Sequence, residues 1–244
     1  MEEKIPGLYD DKKAAVEQMF DSIAWRYDFL NHFLSFGIDH SWRRKAIKVI
    51  SEHFHKPYIL DVATGTGDLA LAAIKLNPSK IEGIDISQKM LEIGKNKINK
   101  NGLSGRIELV IGDSQSIPFD DGIFDVAMVG FGVRNFSFPL GGLLEMKRVI
   151  RLNGMIMVLE FSKPEGFLFR PVFNMYFRRI LPFFGKLFSK DKAAYNYLPE
   201  SVMNFPDNEE FLKLLSDAGF SGTKQIKLTG GVASIYTGIK LSEQ

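Results

Sequence analysis

Three carboxylates stand where an apolar run ends, and the first leads into a glycine loop. Asp61 closes Tyr58-Ile59-Leu60 and is followed by Val62-Ala63-Thr64-Gly65-Thr66-Gly67-Asp68. Glycine lacks a Cβ, so Gly65 and Gly67 can take positive φ and let a ligand approach the backbone. Leu69 to Ala73 then reads as the start of a helix, and strand, glycine loop and helix N-terminus together form a nucleotide-type site. Asp85 closes a second run, Lys80 to Ile84, about where the ribose-binding carboxylate of a βαβ unit belongs. Asp113, followed by Ser114, closes a third, Arg106 to Gly112. The loop alone leaves the ligand open: Gly65-Thr66-Gly67-Asp68-Leu69-Ala70 fits the dinucleotide fingerprint G-x-G-x-x-G/A, and equally a structural strand-to-helix turn.

A second group of chemistry-bearing residues lies past a fourth apolar run, Phe124 to Phe131. Arg134 and Asn135 follow it, and open α/β sheets bind ligands at these strand ends. Tyr27, Tyr195 and Tyr197 are candidates for a pocket wall and equally for the core. The four histidines, His32, His40, His53 and His55, lack metal-ligand spacing, and His53 and His55 fall near a helix end where exposure is expected. With no cysteine there are no disulfides and no thiolate metal sites, so no metal is expected. The Tyr-x-x-x-Lys pair of short-chain dehydrogenases occurs at Tyr236/Lys240 and Tyr9/Lys13. The first lies in an alternating strand and the second precedes the whole sheet, so neither easily reaches Gly65.

These residues need elements to hold them. Residues 57–162 alternate strand and helix, which implies a parallel sheet covered on both faces. Ser87 is an N-cap candidate for the helix from Gln88, with Met90 and Ile93 inward and the lysines from Lys95 to Lys100 in water. Ahead of the sheet, residues 11–54 read as helices, with Ala15, Met19, Ile23 and Tyr27 on one apolar face and Trp42, Ala46, Val49 and Ile50 on another. Residues 163–200 break the alternation with an aromatic and basic insertion. Residues 206–240 close the chain with a helix capped by Asp207 and ended by Gly219. Two strands follow, joined through Thr229-Gly230-Gly231, a short turn that makes one of them antiparallel.

The acids and the loop resemble the class I S-adenosylmethionine methyltransferases. Further stretches narrow the resemblance to the ubiquinone/menaquinone biosynthesis C-methyltransferases: Met19 to Asp28, Phe131-Gly132-Val133-Arg134-Asn135, Leu159-Glu160-Phe161-Ser162-Lys163-Pro164, and Tyr195 to Ser201. The similarity spans about Val16 to Lys240. It implies a Rossmann-like α/β fold: a mostly parallel seven-stranded sheet with one antiparallel strand, helices on both faces and an N-terminal helical lid. The cofactor implied is S-adenosylmethionine, its methionine part held by Asp61, Gly65, Thr66 and Gly67, its ribose by Asp85 and its adenine by Asp113 and Ser114. A carboxylate at Asp61 agrees with this, since it would repel a pyrophosphate but attract the ammonium of a methionine moiety. The implied reaction is C-methylation of a polyprenylated hydroquinone, demethylmenaquinol by preference and the 2-polyprenyl-6-methoxy-1,4-benzoquinol of ubiquinone synthesis as alternative, with Arg134 and Asn135 catalytic. A nicotinamide dehydrogenase and a non-catalytic S-adenosylmethionine-binding module are the competing classes.

Composition bounds the rest. A chain of 244 residues fits one domain with decorations, and a formal net charge of +2 makes no case for nucleic acid. No run reaches the roughly 18 apolar residues of a membrane span. The reading is a cytoplasmic protein, monomeric or homodimeric. The 21 Phe exceed core needs and suggest an aromatic pocket or a surface meeting lipid. From Lys163 to Lys192 seven basic residues accompany two acids among eight Phe and Tyr, which fits either a lid or contact with an anionic membrane surface on the cytoplasmic side.

Overall fold

The computed structural model describes residues 8–166, 169–176 and 192–242. Its centre is a seven-stranded sheet of β1 (Tyr58–Val62), β2 (Lys80–Asp85), β3 (Ile107–Ile111), β4 (Phe124–Gly130), β5 (Ile150–Phe161), β6 (Ser221–Leu228) and β7 (Ala233–Ile239). In space the order is β3-β2-β1-β4-β5-β7-β6. Only β7 runs antiparallel, against β5 on one side and β6 on the other, with the Thr229–Gly231 turn closing the β6–β7 hairpin as expected.

The winding positions the site. Ile59 of β1 pairs with Ile81 of β2 on one side and Val126 of β4 on the other. The chain winds outward to β3 and then crosses back to β4, so a crevice opens at the C-terminal ends of β1 and β4, where the crossovers leave in opposite directions. The central strands are apolar on both faces because both are covered. Ile59, Met128 and Met157 pack under α2 (Asp39–Ser51), α3 (Asp68–Ala73) and α4 (Gln88–Lys100). Leu60, Ala127 and Val129 face α5 (Pro139–Val149) and the helix Glu209–Asp217, which bring Leu143 and Phe211.

Ser87 caps α4, its Oγ accepting the Met90 N–H at 3.2 Å. Three expectations fail locally. The buried stripe of α1 (Leu8–Leu34) carries Val16 and Ala24; of the expected face Met19, Ile23 and Tyr27 are half-buried beside it, as is Phe20, and only Ala15 is exposed. Spacings of three and four alternate on a helix, and a strict fourfold reading drifts off the face. Lys97 does not face water: its ammonium lies 2.9 Å from Asp28 of α1 and pairs with Asp68. Asp207 does not cap its helix; its carboxylate accepts the Lys163 N–H and pairs with the Lys163 ammonium at 3.0 Å.

Two further helices are described in the insertion, α6 (Phe169–Met175) and α7 (Lys192–Asn204), with Glu209–Asp217 then α8. Most of the aromatic and basic stretch, including Phe177, Phe183, Phe184, Phe188, Arg178 and Arg179, lies outside the described residues, as does the side chain of Tyr195.

Candidate active site

The loop after β1 is tight for a physical reason. Gly67, at φ 79°, is the residue before α3 and holds a left-handed conformation that favours glycine. Beneath the loop Asp61 is buried; its Oδ2 accepts the Thr64 hydroxyl at 2.7 Å, while its Oδ1 has no partner. Burial pushes the Asp61 carboxyl up to about 7, against the opposing hydrogen bonds from Thr64 and the Ala70 backbone. Asp85 bridges the loops: its Oδ2 accepts the Gly65 N–H at 2.8 Å and its Oδ1 the Ser87 N–H at 2.9 Å. Burial raises its carboxyl to about 6. Two non-glycine residues at these strand ends are left-handed, Ala63 (φ 52°) after β1 and Phe131 (φ 57°) after β4. The two loops touch closely enough that a Cβ on Gly132 would come within 2.8 Å of the Ala63 Cβ. Strain and close packing coincide where a ligand would sit, as at other functional sites.

A cavity, about 670 Å³ of space with its mouth, occupies the crevice, lined by Gly65, Asp85, Asp113, Ser114 and Asn135 from the sheet side and by Lys13, Val16, Phe20 and Tyr27 of α1. Of the residues expected to hold the cofactor, Gly65, Asp85, Asp113 and Ser114 line it. Asp61, Thr66 and Gly67 do not: Asp61 lies under the loop, Gly67 makes its turn, and the Thr66 hydroxyl donates to Asp28 of α1 at 2.5 Å. Helix α1 is fastened across the cavity along its length. Lys12 donates to the Phe136 carbonyl at 2.8 Å, Lys13 pairs with Asp113 at 2.7 Å, and Asp21 accepts the Ser87 hydroxyl at 2.6 Å.

A second cavity, about 1200 Å³ of space with its mouth, lies beside the first and shares Tyr27 and Phe131 with it. Its walls are largely apolar. Phe131 and Phe161 meet tilted at 43° with 4.8 Å between centroids, and Trp42 meets them at 6.0 and 6.1 Å, held by its Nε1–H donating to Thr229 Oγ1 at 2.8 Å. Charge enters at few points. Arg134 pairs with Glu160 at 2.7 Å, with its guanidinium 5.5 Å from the Phe161 ring. Burial raises the Glu160 carboxyl, opposed by the Arg134 charge. Asp39 shares its carboxylate among Arg43, Ser35 at 2.7 Å and His32 at 2.7 Å; burial alone would raise it, but those partners hold it at about 2.

The structure therefore separates two residues expected to act together: Asn135 faces the first cavity and Arg134 the second. Tyr27, undecided on sequence, stands between them. His32, Asp39 and His40 gather within 4.8 Å, a closeness their spacing does not reveal, but Arg43, Ser35 and His32 already occupy the Asp39 carboxylate. Sequence reasoning missed the roles of Trp42, Phe161 and Glu160. Glu160 had a signal: an acid inside the apolar strand Met155–Phe161 demands a buried partner.

Comparison with known proteins now decides the family. The model of the ubiE/COQ5 methyltransferase family matches residues 8–240. The chain belongs to this family. It is 45% identical over 232 residues to the ubiquinone/menaquinone biosynthesis C-methyltransferase UbiE of Geotalea uraniireducens, covering 94% of this chain and 98% of that one. It is also 45% identical over 242 residues to the demethylmenaquinone methyltransferase of Bacteroides fragilis, covering 98% of each. Among solved structures, a putative S-adenosyl-L-methionine-dependent methyltransferase from Methanococcus maripaludis matches with TM-score 0.66 at 20% identity, over 93% of this chain and 95% of that one, a likeness of fold. This ubiE/COQ5 family member is a methyltransferase that uses S-adenosylmethionine. The first cavity suits that cofactor: the carboxylates of Asp85 and Asp113 are at hand for hydroxyl and amino donors, and the Asp61 Oδ1 leaves an unpartnered acceptor beneath the loop.

Proposed function

We propose that the chain methylates a ring carbon of a polyprenylated hydroquinone, demethylmenaquinol by preference, in menaquinone synthesis. One observation carries this: an apolar, aromatic-walled cavity meets the cofactor cavity at Tyr27 and Phe131, with two arginines in its lining, Arg134 paired with Glu160 and Arg43 with Asp39. The name of the Bacteroides relative supports the naphthoquinol, and that of the Geotalea relative keeps the benzoquinol as the second reading. We assign Asp85 to the ribose, Asp113 and Ser114 to the adenine, and Gly65 with the free acceptor of Asp61 beneath it to the methionine part. Thr66 and Gly67 support the loop.

Bound S-adenosylmethionine supplies an electrophilic methyl group on its sulfonium. The chain must present a nucleophilic carbon to it. Arg134 does so by facing a quinol hydroxyl: a cation beside the oxygen lowers a phenolic pKa from about 10, and the quinolate enriches the ortho carbon. Arg134 stays protonated and is not the base. Asp39, held at about 2, is a poor base as well, so the phenolic proton leaves to water, and after methyl transfer the hydrogen of the methylated ring carbon passes through water to the oxygen as the ring becomes aromatic again. Trp42, Phe131 and Phe161 pack on one another as an aromatic wall against which the ring lies, and they exclude water from that side. Tyr27 and Phe131, which both cavities share, line the passage where ring carbon and methyl meet, with Asn135 on its cofactor side, and alignment of this kind is worth up to about 7–11 kcal/mol.

Among the described residues no helix is long and apolar enough to cross a membrane. We place the enzyme in the cytoplasm, peripheral to the membrane that holds its substrate, as monomer or homodimer. The function is tested with labelled S-adenosylmethionine and short-tailed naphthoquinol and benzoquinol. Label in the naphthoquinol ring is the expected result; label only in the benzoquinol selects the second reading, and label in neither refutes both.

A further inference from the structure

The described residues leave twelve large apolar side chains exposed, and six of them belong to α1, the turn that follows it and α6: Trp25, Phe29, Phe36, Ile38, Phe169 and Met175. Trp25 and Phe29 are four apart on α1, on the side away from the buried Val16 and Ala24, and are 70% and 60% exposed. Phe36, in the turn that follows, is 79% exposed and holds a left-handed conformation (φ 51°), so backbone strain is spent on projecting an aromatic into solvent. Phe36, Ile38 and Phe169 also line the second cavity. The exposed Phe36 turn and Phe169 are thus continuous with the cavity wall. Arg26 lies over the Trp25 ring at 3.8 Å, and exposed Arg170 follows Phe169.

We infer that these exposed side chains dock on a lipid bilayer, with the outer face of α1 and the Phe36 turn entering the headgroup region. The inference rests on the quinol reading above and adds a surface to it. A prenylated acceptor resides in the bilayer, and drawing its tail through water is unfavourable for every methylene. A cavity whose rim is itself in the bilayer avoids that step. Trp and Phe beside Arg are side chains suited to such a boundary, the rings among acyl chains and the cations at phosphate.

Flotation with vesicles of phosphatidylcholine and phosphatidylglycerol tests it. The wild type should float, and Trp25→Ser/Phe29→Ser should bind the same vesicles about tenfold or more weakly, as loss of two partly buried aromatics implies. This variant should keep wild-type turnover of a short-tailed quinol in free solution, because neither residue lines a cavity. Trp25→Phe/Phe29→Trp should still float. Undiminished flotation of the serine variant overturns the inference. So does a wild-type chain that fails to float but self-associates through this face, dissociating on the serine substitutions, since a second copy would then cover it. A wild type that floats but methylates no quinol counts against the acceptor reading instead.

Discussion

The Arg134 guanidinium and the Glu160 carboxylate form an ion pair 2.7 Å long whose side chains are 6% and 0% exposed. The Glu160 carboxyl also accepts the Phe161 N–H at 2.9 Å, so β5 fixes the acid and the acid fixes the arginine. One face of Arg134 is committed to the fold, and the rest of it borders the acceptor cavity.

This pairing changes what Arg134→Ala should do. On sequence alone the variant loses turnover and little else. With Glu160 left buried and unpaired, it should also lose about 3–5 kcal/mol of stability. Arg134→Ala/Glu160→Gln should recover much of that stability without recovering rate, because the glutamine carries no buried charge. The turnover cost of removing the cation is about 2–4 kcal/mol if it stabilises a quinolate oxygen. Thermal unfolding of both variants with single-turnover methylation separates the two effects. Equal rates in the double variant and the wild type would exclude Arg134 from the chemistry.

Asp85→Ala should weaken S-adenosylmethionine by about 1–3 kcal/mol, the scale of lost charged hydrogen bonds. The same carboxylate orders Gly65 and Ser87, so the loop should loosen too. Calorimetry with S-adenosylmethionine and its demethylated product should show the loss, and NADH should bind neither protein comparably. Unaltered affinity would remove Asp85 from the site.

The sheet and its order of elements were legible because strand and helix periods are local properties of the chain. Gly65, Asp85, Asp113 and Ser114 were legible for the same reason: a strand end puts its residue at the crevice whatever surrounds it. The acceptor side was less so. Trp42 of α2, Phe131 after β4 and Phe161 of β5 meet only through the packing of three distant segments, and no spacing encodes that. The Thr66 hydroxyl turns to Asp28, a partner 38 residues earlier that no local spacing reveals. Lys97 was misplaced because two acids on other elements outweigh its hydration.

Stability should depend on pH through Asp61 and Asp85. Their carboxyls are raised by burial to about 7 and about 6, above the unfolded value of about 4. Between those limits the folded chain holds more protons than the unfolded one, so stability falls as pH rises from about 4 to about 7. Asp61→Asn removes the larger contribution and should flatten the slope. Denaturant unfolding across that range, without cofactor, measures it. An unchanged slope would show that Asp61 is ionised throughout.

Tyr197 supplies the sharpest test of the acceptor side. Its hydroxyl is buried without a partner, and so are Arg134 Nε and Asn135 Oδ1. Helix α7 packs on the Val133–Asn135 turn, and Tyr197 feels the charges of Arg134 and Glu160. An unpaired buried hydroxyl costs about 1–3 kcal/mol, so its removal should not destabilise the chain. Tyr197→Phe keeps the ring and its packing. Its unfolding temperature should match or exceed that of the wild type, and its affinity for S-adenosylmethionine should be unchanged. If the hydroxyl is kept to meet an acceptor oxygen, α7 must shift to admit it, and Tyr197→Phe should then lower turnover roughly tenfold, the value of one hydrogen bond at about 1.4 kcal/mol. Burial raises the Tyr197 phenol, so it acts as a donor and the loss should be constant across neutral pH. Unfolding, calorimetry and the pH–rate profile of the one variant decide the matter. A stabilised protein with wild-type turnover would assign the hydroxyl no part in the reaction.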